Sequence, residues 1–247
     1  MGHLFRAELR KVGATPVTWW LLVSTVAVGV LGTIAPLIAA DGESTDLLSD
    51  HRIREALHGA AGGAILVLVA GVIGMAGEWR FGQASQVFLS TPRRSRVVGV
   101  KTVVYLGLGA LYGLVAALAA TATAWGWYRA RGLALPLERS AVWLTLIGCV
   151  AVAALFGVIG VAVGAIVRRP VPALVGALTW TVLVEPALFA AAPSVFRWLP
   201  GVASLSLRRQ PAEHLLPVGS ACAVLLGLVT VALVVGVRQV ERDDVTG

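Results

Sequence analysis

Residues 141–167 read AVWLTLIGCVAVAALFGVIGVAVGAIV, and the stretch contains no charged side chain. About 20 apolar residues suffice to cross the ~30 Å of hydrocarbon in a bilayer, so this segment is long enough to span. Its apolar residues run continuously, where a membrane-barrel strand would alternate them with polar ones. Every backbone N–H and C=O in lipid must be satisfied within its own segment, which leaves a helix. Downstream, Val171–Ala192 and Leu216–Val237 have the same character; upstream so do Val103–Ala124, Gly59–Gly77 and Val17–Ala40. The chain therefore reads as an all-α polytopic membrane protein with six spans, forming a single domain over residues 1–247.

Composition agrees. The chain is 57% hydrophobic and 13% charged, with mean hydropathy +0.84. Soluble domains carry roughly twice that charge, so too little polar surface is left to cover a particle in water. The net charge of +7 is spread between the apolar blocks and forms no continuous basic domain, which argues against nucleic acid. Arginines beside the spans answer instead to topology and to anionic headgroups of membrane lipid. Arginine far outnumbers lysine, Asn is absent, and Ala, Gly and Val are abundant, a bias that suggests a GC-rich bacterial genome.

With the N-terminus inside, the inner segments hold twelve of the 20 basic residues. The segment after the second span has five basic residues against one acid, while the one after the first span has five acids against two bases. Both termini are expected in the cytoplasm. The first apolar run is too long for a signal-peptide core of about 7–15 residues, so an uncleaved first span is expected. Before it, up to Pro16, an interfacial helix is expected over residues 1–14. Leu4, Phe5, Leu9 and Val12 share one face and His3, Arg6 and Arg10 the other.

Gly59 and Gly63, Gly109 and Gly113, and Gly160 and Gly164 form small-xxx-small pairs that suit close helix packing. Cys149 and Cys222 lie within apolar blocks and read as packing residues. No phosphate-binding glycine-lysine loop is present, no metalloprotease or nucleophile-elbow motif, and the four histidines lack ligand spacing. No catalytic, cofactor-binding or metal site is expected. No aromatic cage or charged cluster in the spans singles out a substrate. One carboxylate stands inside a span: Glu185, roughly 21 Å along the fifth helix from Val171. There Pro186 is expected to kink the helix. Glu185 either belongs to a translocation path or pairs with Arg197 or another outer arginine.

The most patterned polar segment lies between the second and third spans. On a helix, Phe81, Ala84 and Phe88 form an apolar stripe with Gln83, Gln86 and Ser90 roughly opposite, and Thr91-Pro92 reads as the start of a further helix that runs into the third span. The runs Gly77-Glu78-Trp79-Arg80-Phe81-Gly82-Gln83-Ala84 and Leu89-Ser90-Thr91-Pro92-Arg93-Arg94-Ser95-Arg96, with Lys101 following, resemble the loop of ATP-binding-cassette type-2 permeases. Val184-Glu185-Pro186 resembles bacterial members of that family, and the resemblance covers essentially the whole chain. It implies a non-enzymatic exporter subunit working as a dimer with a second permease copy or paralogue. Power would come from a separate cytoplasmic ATPase that holds the ATP and magnesium, and this chain would carry no cofactor. The resemblance implies a coupling helix over Arg80–Leu89, with Glu78, Trp79, Arg80, Phe81, Gln83, Ala84, Gln86 and Phe88 contacting the ATPase or its membrane junction. Glu78 would pair with the ATPase or with the N-terminal helix. It also implies short re-entrant outer helices within residues 193–215. The first outer segment, about 18 residues by the span limits, is too short for the large outer domain of some type-2 exporters. A self-contained secondary carrier would show internal repeats and several buried ionisable groups, and a membrane scaffold or sensor would leave the 78–101 segment lying on lipid.

Overall fold

A computed structural model describes residues 2–39, 47–80 and 94–242; for Trp79, Arg80, Arg94 and Arg242 it describes the backbone only. Among these residues all regular structure is helical, without a strand. Six helices are long and apolar enough to cross a membrane.

Helix α1 (Gly2–Ala14) precedes α2 (Pro16–Ala39), the first span; Pro16 opens α2 where its missing N–H costs nothing. Helix α3 (Asp50–Leu57) starts with the Ser49 side chain accepting from the Arg52 N–H. It runs through a 3₁₀ stretch, His58–Gly63, into α4 (Ala64–Arg80). The second span therefore begins earlier than the expected Gly59, and Asp50–Glu78 forms one unit. The polar residues of α3 conceal this continuity in a hydropathy reading. Helix α5 (Arg94–Ala130) also exceeds its expected span, reaching roughly 55 Å at 1.5 Å per residue.

Helix α6 (Ser140–Val167) ends at Arg168, which is left-handed (φ 58°). Arg169 is then extended, as the residue before a proline must be, and Pro170 starts α7 (Pro170–Thr179). This two-residue connection turns the chain straight back. Helix α7 passes through a π-helical turn, Trp180–Val184, into α8 (Glu185–Ala191), completing the fifth span. The short α9 (Pro193–Phe196) and α10 (Pro200–Leu207) follow, each opened by proline, and α11 (Val218–Arg242) is the last span.

Helices α4 and α6 form the centre: 67% of the apolar window is buried in each of their spans, against 17% for the fifth and sixth spans. Glycine makes that centre possible. A Cβ on Gly160 would overlap the Leu68 carbonyl, one on Gly71 the Gly157 carbonyl, and one on Gly164 would press on Met75. Gly109 and Gly113 bring α5 against Ala153 and Val150 of α6, and Gly59 and Gly63 bring the 3₁₀ stretch against Gly32 and Thr25 of α2. All three expected small-residue pairs are thus packing positions. Cys149 is buried and Cys222 half-buried, and both are free thiols.

Indole rings mark both ends of the bundle, as at membrane–water boundaries. At the end carrying α1, Trp19 donates to the Gly13 carbonyl; at the opposite end Trp143 donates to the Leu137 carbonyl and Arg131 stacks on Trp127 at 3.5 Å. Val240 of α11 packs into a cluster with Val98 and Val104, which Leu4 and Val12 of α1 also touch. Both ends of the described chain therefore lie on the same side.

Candidate functional site

At the α1 end, four charged groups from three elements meet. Glu78 lies near the end of α4, Lys101 early in α5, and Glu8 and Lys11 are three residues apart on α1. Lys101 Nζ donates to Glu8 Oε2 at 2.7 Å and to the Gly74 carbonyl at 3.0 Å, and lies 3.0 Å from Glu78 Oε1. Two of its three ammonium protons are thereby hydrogen-bonded, and Glu78 adds an ion pair. Lys11 Nζ donates to Glu78 Oε1 at 2.7 Å and to Glu8 Oε1 at 3.2 Å. The two lysines balance the two carboxylates.

Burial decides how strongly these contacts act. The Lys101 side chain is 2% exposed, Glu8 7% and Glu78 10%, whereas Lys11 is 44% exposed. Removing one partner of a buried pair strands the other charge and costs about 3–5 kcal/mol. Burial of Lys11 favours its neutral form, but hydrogen bonding and attraction from Glu78, then Glu8, outweigh that and hold its pKa above the ordinary 10.5. Tyr105 lies one turn beyond Lys101, and its hydroxyl occupies the space that a Cβ on Gly74 would need. A cavity of about 470 Å³, lined by Glu8, Lys11, Thr18, Gly74, Glu78 and Tyr105, opens beside the cluster.

The cluster offers no nucleophile with an adjacent base; what it can do is hold. It fixes α1 to the end of α4 and the start of α5, the two helices that flank residues 81–93. Of the residues expected at the coupling junction, Glu78 pairs with Lys11 of the N-terminal helix directly and meets Glu8 through Lys101. Trp79 and Arg80 continue α4 in backbone, and Phe81, Gln83, Ala84, Gln86 and Phe88 lie outside the described residues. Glu8 and Lys11 were missed as site residues. Glu8 stands between Leu4 and Val12 on the apolar face of α1, and an acid in an apolar stripe is the signal that could have revealed it.

Glu185, the carboxylate expected within a span, is 2% exposed near the opposite end. Trp180 Nε1 donates to its Oε1 at 2.6 Å and the Gly201 N–H to its Oε2 at 2.6 Å. Gly201 is the second residue of α10, so the carboxylate caps that helix at its positive end. A Cβ on Gly201 would overlap the carboxylate. The expected pairing with Arg197 is not formed; Arg197 lies over the Trp198 ring at 5.5 Å. Backbone and indole donors reach the carboxylate where the arginine does not. Just before Pro186, where a kink is expected, the helix makes a π turn, which accommodates the missing N–H and the ring's clash with the preceding turn. Among the described residues no three His, Cys, Asp or Glu side chains converge as a metal site.

No protein-family model and no curated protein matches the chain.

Proposed function

We propose that this chain is the membrane-spanning subunit of an ATP-binding-cassette exporter, driven in trans by a separate cytoplasmic ATPase that binds ATP and magnesium. The observation that carries the reading is where the family-like loop is attached. Residues 81–93 run between Glu78 and Lys101, and these two side chains meet each other and α1 in the buried charge cluster. A force applied to such a loop passes into α1, α4 and α5 together, because a buried ion-pair network resists separation.

On this reading the amphipathic segment Arg80–Leu89 docks on the ATPase, as helix-in-groove recognition would have it. Helix α1 lies in the inner headgroup layer and α9 and α10 are re-entrant. Both termini are cytoplasmic and the membrane is a bacterial plasma membrane. Two permease subunits enclose the path and transport proceeds by alternating access. The apolar surfaces left on α2, α7–α8 and α11 supply faces for lipid and for the second subunit.

The test is whether a neighbouring gene encodes a stand-alone ATPase and whether that ATPase co-purifies with this chain. Phe81→Asp with Phe88→Asp should abolish ATPase co-purification while membrane insertion is retained. ATPase binding that survives the double substitution contradicts the coupling assignment, and absence of ATPase binding by the wild-type chain contradicts the function.

A further inference from the structure

Helix α10 has a charged residue at each end, and only one of them is satisfied. Glu185 spends both oxygens on Trp180 and Gly201 at the N-terminal end. Arg208 follows the last residue of α10, roughly 12 Å away along eight helical residues. Its Nε is buried without a hydrogen-bond partner, and among the described residues no carboxylate pairs with the guanidinium. Gly148 of α6 abuts the Leu207 carbonyl and the Arg208 backbone. Gly148 is eight residues into α6, so Arg208 lies about 12 Å below the start of that helix. An unneutralised guanidinium at such depth is expensive and by default functional.

Arg208 borders a cavity of about 460 Å³ whose other walls include Phe156, Val182, Ser204 and Glu185. A second cavity of about 240 Å³ shares Phe156, Thr181, Glu185 and Gly201 with the first. It continues past Ile159 and Val163 to Val167 at the end of α6. From Val152 to Val167 the slot follows α6 for about 22 Å. Apart from Arg208, Glu185, Ser204 and Thr181, its lining is apolar or glycine.

We propose that this slot binds a single-chain amphiphile with an anionic oxyanion headgroup, the head on Arg208 and the chain along α6 toward Val167. The charge selects the head: the free guanidinium donors match a phosphate, sulfonate or carboxylate. Glu185 also lines the slot, but its two oxygens are taken by Trp180 and the Gly201 N–H at the opposite end of α10 from Arg208. The narrow apolar continuation accepts one chain. Binding is a property of the chain alone, so it stands or falls independently of the exporter reading.

The experiment uses hexadecyl phosphate carrying a photoreactive diazirine in its chain, and the corresponding uncharged hexadecanol. Both are added to the purified full chain in neutral detergent, and labelled peptides are mapped by mass spectrometry. The exposed face of α11 around Leu226–Val235 is the internal reference for indifferent, lipid-like labelling. The phosphate should label the α6 and α7 peptides about tenfold or more above the alcohol, relative to that reference. Arg208→Gln should erase the preference and Arg208→Lys should retain most of it. Equal labelling by phosphate and alcohol overturns the proposal, as does a preference that survives Arg208→Gln. Should Arg208→Gln fail to fold, the wild-type comparison and Arg208→Lys still decide. Unlabelled hexadecyl phosphate should displace the label, and equal displacement by phosphatidylglycerol would overturn the single-chain assignment.

Discussion

Glu78 and Glu185 are both buried carboxylates on apolar helices, and the fold holds them by opposite means. Glu78 shares two lysines with Glu8, from elements separated by as much as 93 residues of sequence. Among the described residues no cation pairs with Glu185; an indole and a backbone N–H from within 16 residues hold it. The first arrangement ties distant parts of the chain together through charge and depends on every member being present. The second is a local cap that fixes a short helix against the span before it. An ion-pair network where three helices meet suits a mechanical junction, whereas a helix cap suits a wall.

The contrast is broken most severely at Lys101. Lys101→Met leaves two buried carboxylates facing each other with only the half-exposed Lys11 between them. Stability in detergent should fall by about 3–5 kcal/mol, read as thermal unfolding followed by intrinsic fluorescence. A loss below about 1 kcal/mol would show that water already reaches the cluster.

Glu185→Ala should cost less, about 1–3 kcal/mol in the same assay. Trp180 is half-exposed and can turn to another acceptor, so the main loss is the Gly201 N–H and the negative charge at the start of α10. Glu185→Gln retains one acceptor and should lie between alanine and wild type. An effect of Glu185→Gln equal to that of Lys101→Met would erase the distinction between cap and junction.

Lys11 gives the smallest effect and sharpens the comparison within the cluster. Its exposure limits Lys11→Met to about 1 kcal/mol. Because its pKa is raised by folding, its contribution is fully present below the ordinary 10.5 and is lost only as pH rises through the higher folded value. The wild-type advantage over Lys11→Met should therefore stay constant across neutral pH and shrink only in strong alkali. A loss of that advantage already at neutral pH would contradict the pairing.

The sequence carries the spans clearly because continuous apolar runs without charge admit one solution in lipid. Its errors lie where that signal is diluted. The charged α3 conceals an early start to the second span, and the apolar window stops short of the last turns of α5, whereas the helix expected to run from the basic segment into the third span is continuous from Arg94. Glu185 is visible as a carboxylate in a span, but its partners are not: a backbone N–H leaves no mark in sequence, so an outer arginine such as Arg197 was the one partner the sequence could suggest. The charge cluster is half legible. Glu78 and Lys101 stand out beside the loop, while Glu8 is read past because the polar face of α1 draws attention to Arg6 and Arg10. Arg208 stands among other loop arginines, and its lack of a partner emerges only when α10 is folded back against α6.

Hydrogen–deuterium exchange over residues 2–14 tests the junction most directly, comparing the wild-type chain with Lys101→Met. If the cluster is what holds α1 to α4 and α5, amide protection in α1 should fall about a hundredfold or more, as expected from losing a buried ion-pair partner. Protection in α6 should remain. Unchanged protection of residues 2–14 in Lys101→Met would contradict the account, because α1 would then be held by something other than these charges.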